Sequence, residues 1–525
     1  MRSLAIGSAA TLAFALVACS GNSPSASMPT AGAITATTTP IPTASPTPTP
    51  GPRNLVSVAA GAWLVDWGER PGWDSGSPGR ANGATVPLDP KTGEEVRGWE
   101  PLRAGQALIA RVSPDGRHVA FSWALTQSGP WRLTIVAVDT GETVAEFDLP
   151  QGVYGAHWST DGSSLLAVQD NVDVDESAGS RLWEFRWETP AAVRPLGDLP
   201  YQLAALREGP GHRFYALGFV SDECCGIDIK GAPFLVALDW GDEVARVPLP
   251  GVVLGQQFEQ RGVSDSQANI VRSPGIAISP AGDRLYIAHA DDDAITVVDL
   301  ETMAVDAVVT PTAPKSALGR FGSWLGSLLV SEARAKGGAY YTKEAVVSPD
   351  GRYLYVTGYE PEFCETDEFF PCIERKPIGL QIVDLASMEV VARHEGIARI
   401  TFTPGWDRMV GTGETIDYRD SDAPHIERHG PYVIDTASHN IIGEPAADQP
   451  DLVRGLVGWQ FALSTDGLHG FIAVGGPGME DAVAEGRNCA TNCYALRTYD
   501  LETGDVVSER YYDGYVTFIN LVPQP

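Results

Sequence analysis

An all-β fold of repeated four-stranded antiparallel sheets is predicted by two recurring phrases and the turn chemistry between them. The first phrase is a hook followed by a strand-like run: SPDGRHVAFSW from Ser113, STDGSSLLAVQ from Ser159, SPAGDRLYIAH from Ser279, SPDGRYLYVTG from Ser348 and STDGLHGFIAV from Ser464. The second is an apolar strand, an acidic or small polar turn and another strand, in eight copies starting at Gly83, Leu133, Arg181, Phe234, Ala294, Gly379, Gly430 and Ala495. An Asp-Gly or Ala-Gly step between apolar runs marks a tight turn, because glycine accepts the positive φ that hairpin turns require. Each hook therefore joins two antiparallel strands, and each second phrase supplies two more. Long-period repetition decides a fold before single elements do, and blades of four strands around a central channel make a β-propeller. Eight copies predict eight blades. Seven is the alternative, because the first unit lacks a hook and VSVAAGAWLVDWG from Val56 stands in for it.

The chain opens on MRSLAIGSAATLAFALVAC, with Arg2 ahead of an apolar run from Leu12 to Ala18. That run is too short to span a bilayer and has the form of a secretory signal, predicted over residues 1–18. Its end, LVAC (Leu16, Val17, Ala18, Cys19), resembles the lipobox of bacterial lipoproteins. The resemblance implies cleavage before Cys19 and its lipidation, so that membrane lipid is one partner and the protein sits outside the cytoplasm, anchored to a bacterial membrane. Each buried acyl methylene contributes about 0.8 kcal/mol to such an anchor.

Residues 19–52 follow as the lipidated cysteine and a stalk, rich in Thr, Pro and Ser and without an aromatic or charged residue. Such a segment cannot bury enough apolar surface to fold. Its Thr-Pro alternation favours polyproline II at roughly 3.1 Å per residue. Residues 53–525 contain no second linker of this kind and are read as one propeller domain. The formal net charge of −30 opposes binding to nucleic acid and direct docking on anionic lipid.

Six further cysteines form three close pairs, Cys224 with Cys225, Cys364 with Cys372, and Cys489 with Cys493, each in a segment read as a loop. An exported context permits disulfides, and local loop staples are expected. FCETDEFFPC and NCATNC close short loops readily, whereas adjacent Cys224 and Cys225 would need a strained ring. Longer-range pairing and a metal site are the rivals. Zinc wants four ligands at familiar spacings, and no cysteine pair here has the two-residue spacing, so no metal is expected.

Along the body, LYVTG (Leu354 to Gly358) and ITVVDLETMAV (from Ile295) are similar to the YVTN family of propeller repeats, and the hooks are also similar to the repeats of TolB-like propellers. The resemblance implies the architecture and runs from about residue 53 onward, strongest in the second, fifth, sixth and eighth units. In the seventh the hook has become TPGWDR (Thr403 to Arg408), and in the fourth EGPGHR (Glu208 to Arg213). GYVTFINLV, Gly514 to Val522, lies beyond the eighth unit and is expected to pair with N-terminal strands, closing the ring and removing exposed edges. Within 311–343, Leu318, Phe321, Leu325, Leu328 and Leu329 sit at helical spacing, which predicts one amphipathic helix over a face of the ring.

Function in such a body is expected in its long loops, since the strands are occupied with packing. These are 66–84, 170–180, 222–232, 311–343, 360–377, 413–429 and 475–491, and all but one follow the second strand of their unit, which gathers them on one face. DNVDVDES offers Asp170, Asp173, Asp175 and Glu176, and HADDDA offers Asp291, Asp292 and Asp293. Neither has the glycine and terminal Glu of a calcium loop, so both are read as solvated turn acids. His425 and His429 with Asp420 and Asp422 lack a defined third metal ligand and are read as a polar loop. His118, His157 and His289 fall at strand positions where packing is expected. Trp63, Trp67, Trp73, Trp183 and Trp187 are read as blade core.

No Gly-flanked serine elbow or Ser-His-Asp signature is present, and no residues remain for an α/β-hydrolase domain. The leading expectation is a monomeric, non-enzymatic, surface-anchored propeller with no cofactor, binding an envelope protein or a small ligand. The competing one is a propeller lyase, hydrolase or quinone-dependent dehydrogenase with its site in the channel, since one architecture hosts many chemistries.

Overall fold

Strand follows strand along the described residues of the computed structural model, with one 3-10 turn at Pro210–His212. The structure describes residues 62–519 apart from 68–83, 89–101, 104–105, 125–130, 138–139, 141, 150–152, 160, 175–176, 188–191, 222–228, 240–241, 261–266, 313–338, 365–371, 404, 418–424, 444–460, 465–466, 476–492 and 514. Eight four-stranded antiparallel units can be followed among the described residues. The second runs Gln106–Val112, His118–Ala124, Trp131–Ala137, Thr143–Leu149, and the third Val153–Trp158, Ser164–Val174, Ser177–Arg186, Ala192–Leu199. The fourth runs Gln202–Glu208, Arg213–Ser221, Ile229–Asp239, Asp242–Pro248, and the fifth Gly275–Ile278, Arg284–Ala288, Ile295–Asp299, Ala304–Val309. The sixth runs Ala339–Val347, Tyr353–Cys364, Leu380–Asp384, Glu389–His394, and the seventh Arg399–Phe402, Arg408–Asp417, His425–Asp435, Ile441–Gly443. Phe461–Leu463, His469–Gly475, Cys493–Asp500 and Val506–Asp513 form the eighth.

The first unit joins the two ends of the chain. Tyr515–Ile519 pairs antiparallel with Ala62–Trp67, Leu64 standing opposite Phe518, and Ala84–Leu88 and Leu102–Arg103 complete the sheet. The expected closure by the C-terminal strand is therefore present. First strands of successive units lie side by side, Gln106–Val112 next to Val153–Trp158 and Gly275–Ile278 next to Ala339–Val347. Sheets meeting face to face with their first strands along a common inner edge make the β-propeller.

Where a hook opens on Ser or Thr, its own hydroxyl locks the turn. Ser348 Oγ accepts the Tyr353 N–H at 2.9 Å and donates to Asp350 Oδ1 at 2.5 Å. Ser113 and Ser159 repeat this on Asp115 and Asp161, and Thr403 does it in the seventh unit on Asp407. Gly351 sits at φ +71°, the left-handed value the turn needs, and in TPGWDR that position falls to Trp406 at φ +56°. The second phrase closes on an aspartate whose carboxylate caps the turn: Asp299 accepts from Thr302 N at 2.7 Å and Asp384 from Ser387 N at 3.0 Å. Those backbone donors hold the Asp384 carboxyl below the usual carboxylate range.

Successive sheets bury apolar residues against one another on both faces, which is why the strands read as nearly continuous apolar runs. Leu354 and Val356 pack toward the fifth unit with Tyr286 and Val297. Tyr355 points the other way, into a cluster with Ile397, Phe402 and Met409 of the seventh. Trp183 and Trp158 join the core between the second and third units, as expected of blade tryptophans.

Several segments read as loops are strands instead. Residues 170–174 and 177–180 continue the hairpin of the third unit, with Ala178 paired to Asp173. In the same way 360–377 carries Tyr353–Cys364 and a further strand, Cys372–Pro377, and 413–429 lies largely within Arg408–Asp417 and His425–Asp435. Pairing partners beyond the blade let these hairpins run on as ladder. Of the expected helix, 313–338 lies outside the described residues, while Ala339–Val347 is strand.

Leu354 is wholly buried between two sheets. Leu354→Ala is expected to cost about 2–5 kcal/mol of folding stability in chemical denaturation, whereas trimming Val308, 53 % exposed, should cost less than about 0.5 kcal/mol.

Candidate functional site

The extended hairpins all stand on the face reached by the connection between second and third strands, and there they pair with neighbours. Ala178 of the third unit bridges Ser221 of the fourth. Cys372–Pro377 of the sixth pairs with Arg408–Asp417 of the seventh, Arg375 opposite Ile416. A separate hairpin, Gly255–Gln260 with Gln267–Ser273, lies parallel against Ala339–Val347, Ile270 opposite Ala339. Where the second strands leave their blades, glycine is required. A Cβ at Gly358, φ +149°, would run into the Thr342 carbonyl, and one at Gly413 into the Gly396 carbonyl.

Between the fifth and sixth units this face carries an ionic cluster built on HADDDA. Arg272 reaches Asp291 at 3.5 Å, Lys343 Nζ lies 3.6 Å from Asp293 and donates to the Asp292 carbonyl, and Gln381 Nε2 donates to Asp293 at 3.3 Å. Arg393 stands 3.7 Å from the other Asp293 oxygen. His289, 2 % exposed, bonds Thr296 Oγ1 through Nε2 at 2.8 Å and sets Nδ1 3.3 Å from Asp292. These acids are thus more than solvated turn residues, because cations from the next unit and the added hairpin converge on them. Burial pushes the Lys343 ammonium down from its ordinary value, with Asp293, Asp292 and Glu360 opposing. Burial likewise holds the His289 imidazole below 6.5, against the pull of Asp292 and Asp291.

Between the sixth and seventh units a second polar layer lies above the Tyr355–Phe402 core. Tyr359 is 5 % exposed, and Arg375 covers its ring with the guanidinium 3.7 Å from the centroid. Burial pushes the Tyr359 phenol up, with Arg399 and Arg375 pulling it down and Glu414 and Glu344 adding to the rise. Glu414 is 8 % exposed, and its buried Oε2 has no hydrogen-bond partner among the described residues. His429 Nε2 lies 3.0 Å from Thr415 Oγ1.

Of the residues singled out from sequence, Cys19, Cys224, Cys225 and Cys489 lie outside the described residues, as do Asp175, Glu176, Asp420, Asp422 and Trp73. Cys364 and Cys372 are direct cross-strand partners at the end of their hairpin, and Cys493 opens a strand opposite Asp513. All three therefore sit on strands rather than in loops. His425 opens a strand opposite Asp417, while His429 faces Thr415. His118 packs its ring on Trp187, centroids 4.3 Å apart. Among the described residues no three His, Cys, Asp or Glu side chains gather as a metal site. Sequence reasoning missed Arg272 and Lys343 at the first cluster and Tyr359 and Glu414 at the second, which are drawn from separate units and share no spacing. The paired glycines beside Glu414, GTGE from Gly411, were the one available signal.

No protein-family model matches the chain, and no curated protein matches it. Similar solved structures include dihydro-heme d1 dehydrogenase NirN in complex with DHE, at 13 % identity over 88 % of this chain and 76 % of that chain, TM-score 0.45. The β-propeller domain of Cps50 (Swd1) from Myceliophteria thermophila is 12 % identical over 78 % and 97 %, TM-score 0.35. TolB from Acinetobacter baumannii is 14 % identical over 62 % of each chain, TM-score 0.29. Likenesses this distant carry neither activity nor ligand over to this chain.

Burial also holds His439 below its ordinary value. Below 6.5 the unfolded chain binds protons that folded His289 and His439 resist, so stability is full above that pH and falls as acid is added. His289→Asn is expected to flatten the fall in melting temperature between about pH 7 and pH 5, and an unchanged slope contradicts this account of His289.

Proposed function

We propose that the protein is a monomeric, eight-bladed propeller held outside the cytoplasm by lipid on Cys19, and that it acts as a binding module for an envelope protein or a small ligand through its hairpin face. The observation that supports this is the pairing of extended hairpins across blade boundaries on that face. Cross-blade ladders lie outside the four-stranded sheets themselves. What they supply is a rigid platform of side chains drawn from several units, as a preorganised recognition surface needs.

The stalk suits this use. Residues 20–52, extended as polyproline II, reach about 100 Å, far enough to hold the face clear of a lipid surface. Cys364 and Cys372 would staple the tip of the hairpin of the sixth unit: cross-strand partners in an antiparallel ladder stand roughly 4.5–5.5 Å apart at Cα, inside the range a disulfide spans.

A photo-crosslinker at Glu362, exposed on the hairpin face, is expected to give a discrete adduct in the producing cells. The same group at Glu301, in a turn on the opposite face, is expected to give none. Cys19→Ala should move the protein from the membrane to the soluble fraction. Adducts from Glu301 only, or a membrane-bound Cys19→Ala variant, would contradict the reading.

A further inference from the structure

A strand at the edge of a sheet offers unpaired N–H and C=O groups, and native proteins blunt such edges with register shifts, short strands, proline or lysine. Among the described residues the blades do this throughout. In the second to eighth units the outer strand is shifted in register against the third strand, as between Val297 and Val298 in the fifth. In the first unit the outer strand is only Leu102–Arg103. The inner strands Gln106–Val112, Val153–Trp158 and Gln202–Glu208 carry shifts as well. Apart from Ala339–Val347, the other inner strands have five residues or fewer, Tyr515–Ile519 being the longest.

Gly255–Gln260 has neither device. Its six residues pair with Gln267–Ser273 in unbroken register, from Gly255 opposite Arg272 to Gln260 opposite Gln267. Its sequence, GQQFEQ, contains no proline and no lysine. Ala339–Val347 has Tyr353–Cys364 on its outer side, so Gln267–Ser273, paired in parallel on its other side, lies toward the axis at the mouth of the ring. Gly255–Gln260 is one strand further in, and the sheet ends there, with no other described strand paired to it. Its start is fixed to the fourth unit, where Gly255 lies against Ile229 and Phe219.

Every second residue of an antiparallel strand turns its N–H and C=O away from the partner it already has. An extended backbone matches such a row in register, donor to acceptor. Charge narrows the choice of backbone. Glu259 is the one charged residue of the strand and the chain carries a formal net charge of −30, so two copies paired edge to edge would bring like charges together. We propose that Gly255–Gln260 binds an extended, neutral or basic segment of a partner polypeptide by strand addition at the mouth of the ring. The partner of the binding module proposed above is then a protein that supplies a strand. This inference rests on that reading, while its test uses purified protein and synthetic peptides.

The full chain in detergent is screened against a phage-displayed library of random heptapeptides, and enriched sequences are synthesised and followed by calorimetry and hydrogen exchange. Peptides free of Asp, Glu and Pro are expected to bind and to slow amide exchange at 255–260. Gln256→Pro and Gln257→Pro separate the two sides of the strand, because neighbouring residues send their N–H groups in opposite directions. One variant loses a bond to Gln267–Ser273 and should melt below the parent protein. The other loses only an outward N–H, so it should keep the parent's melting temperature and weaken the peptide at least about tenfold. If both variants melt early, exchange at 255–260 in the parent chain decides. No enriched peptide, a bound peptide that leaves that exchange unchanged, or equal affinity in both proline variants overturns the inference. Self-association of the chain that one proline variant abolishes also overturns it, and assigns the edge to a second copy. Adducts at Glu362 with no peptide on Gly255–Gln260 would defeat this inference alone. A peptide bound there without such adducts would defeat only the recognition assigned to the hairpin of the sixth unit.

Discussion

Everything in this protein depends on one constraint: a four-stranded sheet with two apolar faces and two open edges cannot stand alone in water. Each unit solves the faces by packing on its neighbours, as Leu354 and Tyr355, adjacent in sequence, enter opposite seams. A row of such units would still end in two bare faces. The pairing of Tyr515–Ile519 with Ala62–Trp67 ties the last part of the chain to the first and turns the row into a ring. Sequence-distant ends thus become sheet neighbours, and the hydroxyl-locked hooks keep each first strand at a fixed angle to its second.

Closure leaves little freedom within the blades, and variation moves to the ends of the hairpins. There the chain extends its ladders past the blade and uses them to join units, at Ala178 with Ser221 and at Arg375 with Ile416. The two polar seams under this platform differ in character. At the HADDDA turn the charges are matched by Arg272, Lys343, Gln381 and Arg393, so that seam holds the added hairpin and the fifth and sixth units together. Between the sixth and seventh units, Glu414 Oε2 and Thr357 Oγ1 are buried with no hydrogen-bond partner among the described residues.

The repeat was legible because turn chemistry is local. Ser, Asp and Gly in a hook specify one turn, and the Asp at the second turn specifies its cap. The residues at Asp plus four were not legible: among the described residues Met303, Met388 and His439 take positive φ there, as Gly504 does, without the glycine that would advertise it. Strand length was misjudged at 360–377 and 413–429, because what lengthens those strands is a partner in another unit. The same reason hid Lys343 and Glu414, whose roles depend on neighbours brought close only by the ring. His289 was read as packing, and it is buried, yet its ring also serves the acidic turn through Thr296 and Asp292.

Closure itself is tested most directly by disulfide trapping between positions that face each other across the first sheet. Leu64 and Phe518 are Cα partners in the pairing of the two chain ends. With both replaced by cysteine, mild oxidation and peptide mapping should recover a 64–518 crosslink within single molecules, together with a raised melting temperature. Absence of that crosslink, or its appearance only between two molecules, would contradict a ring closed by the chain's own C-terminal strand.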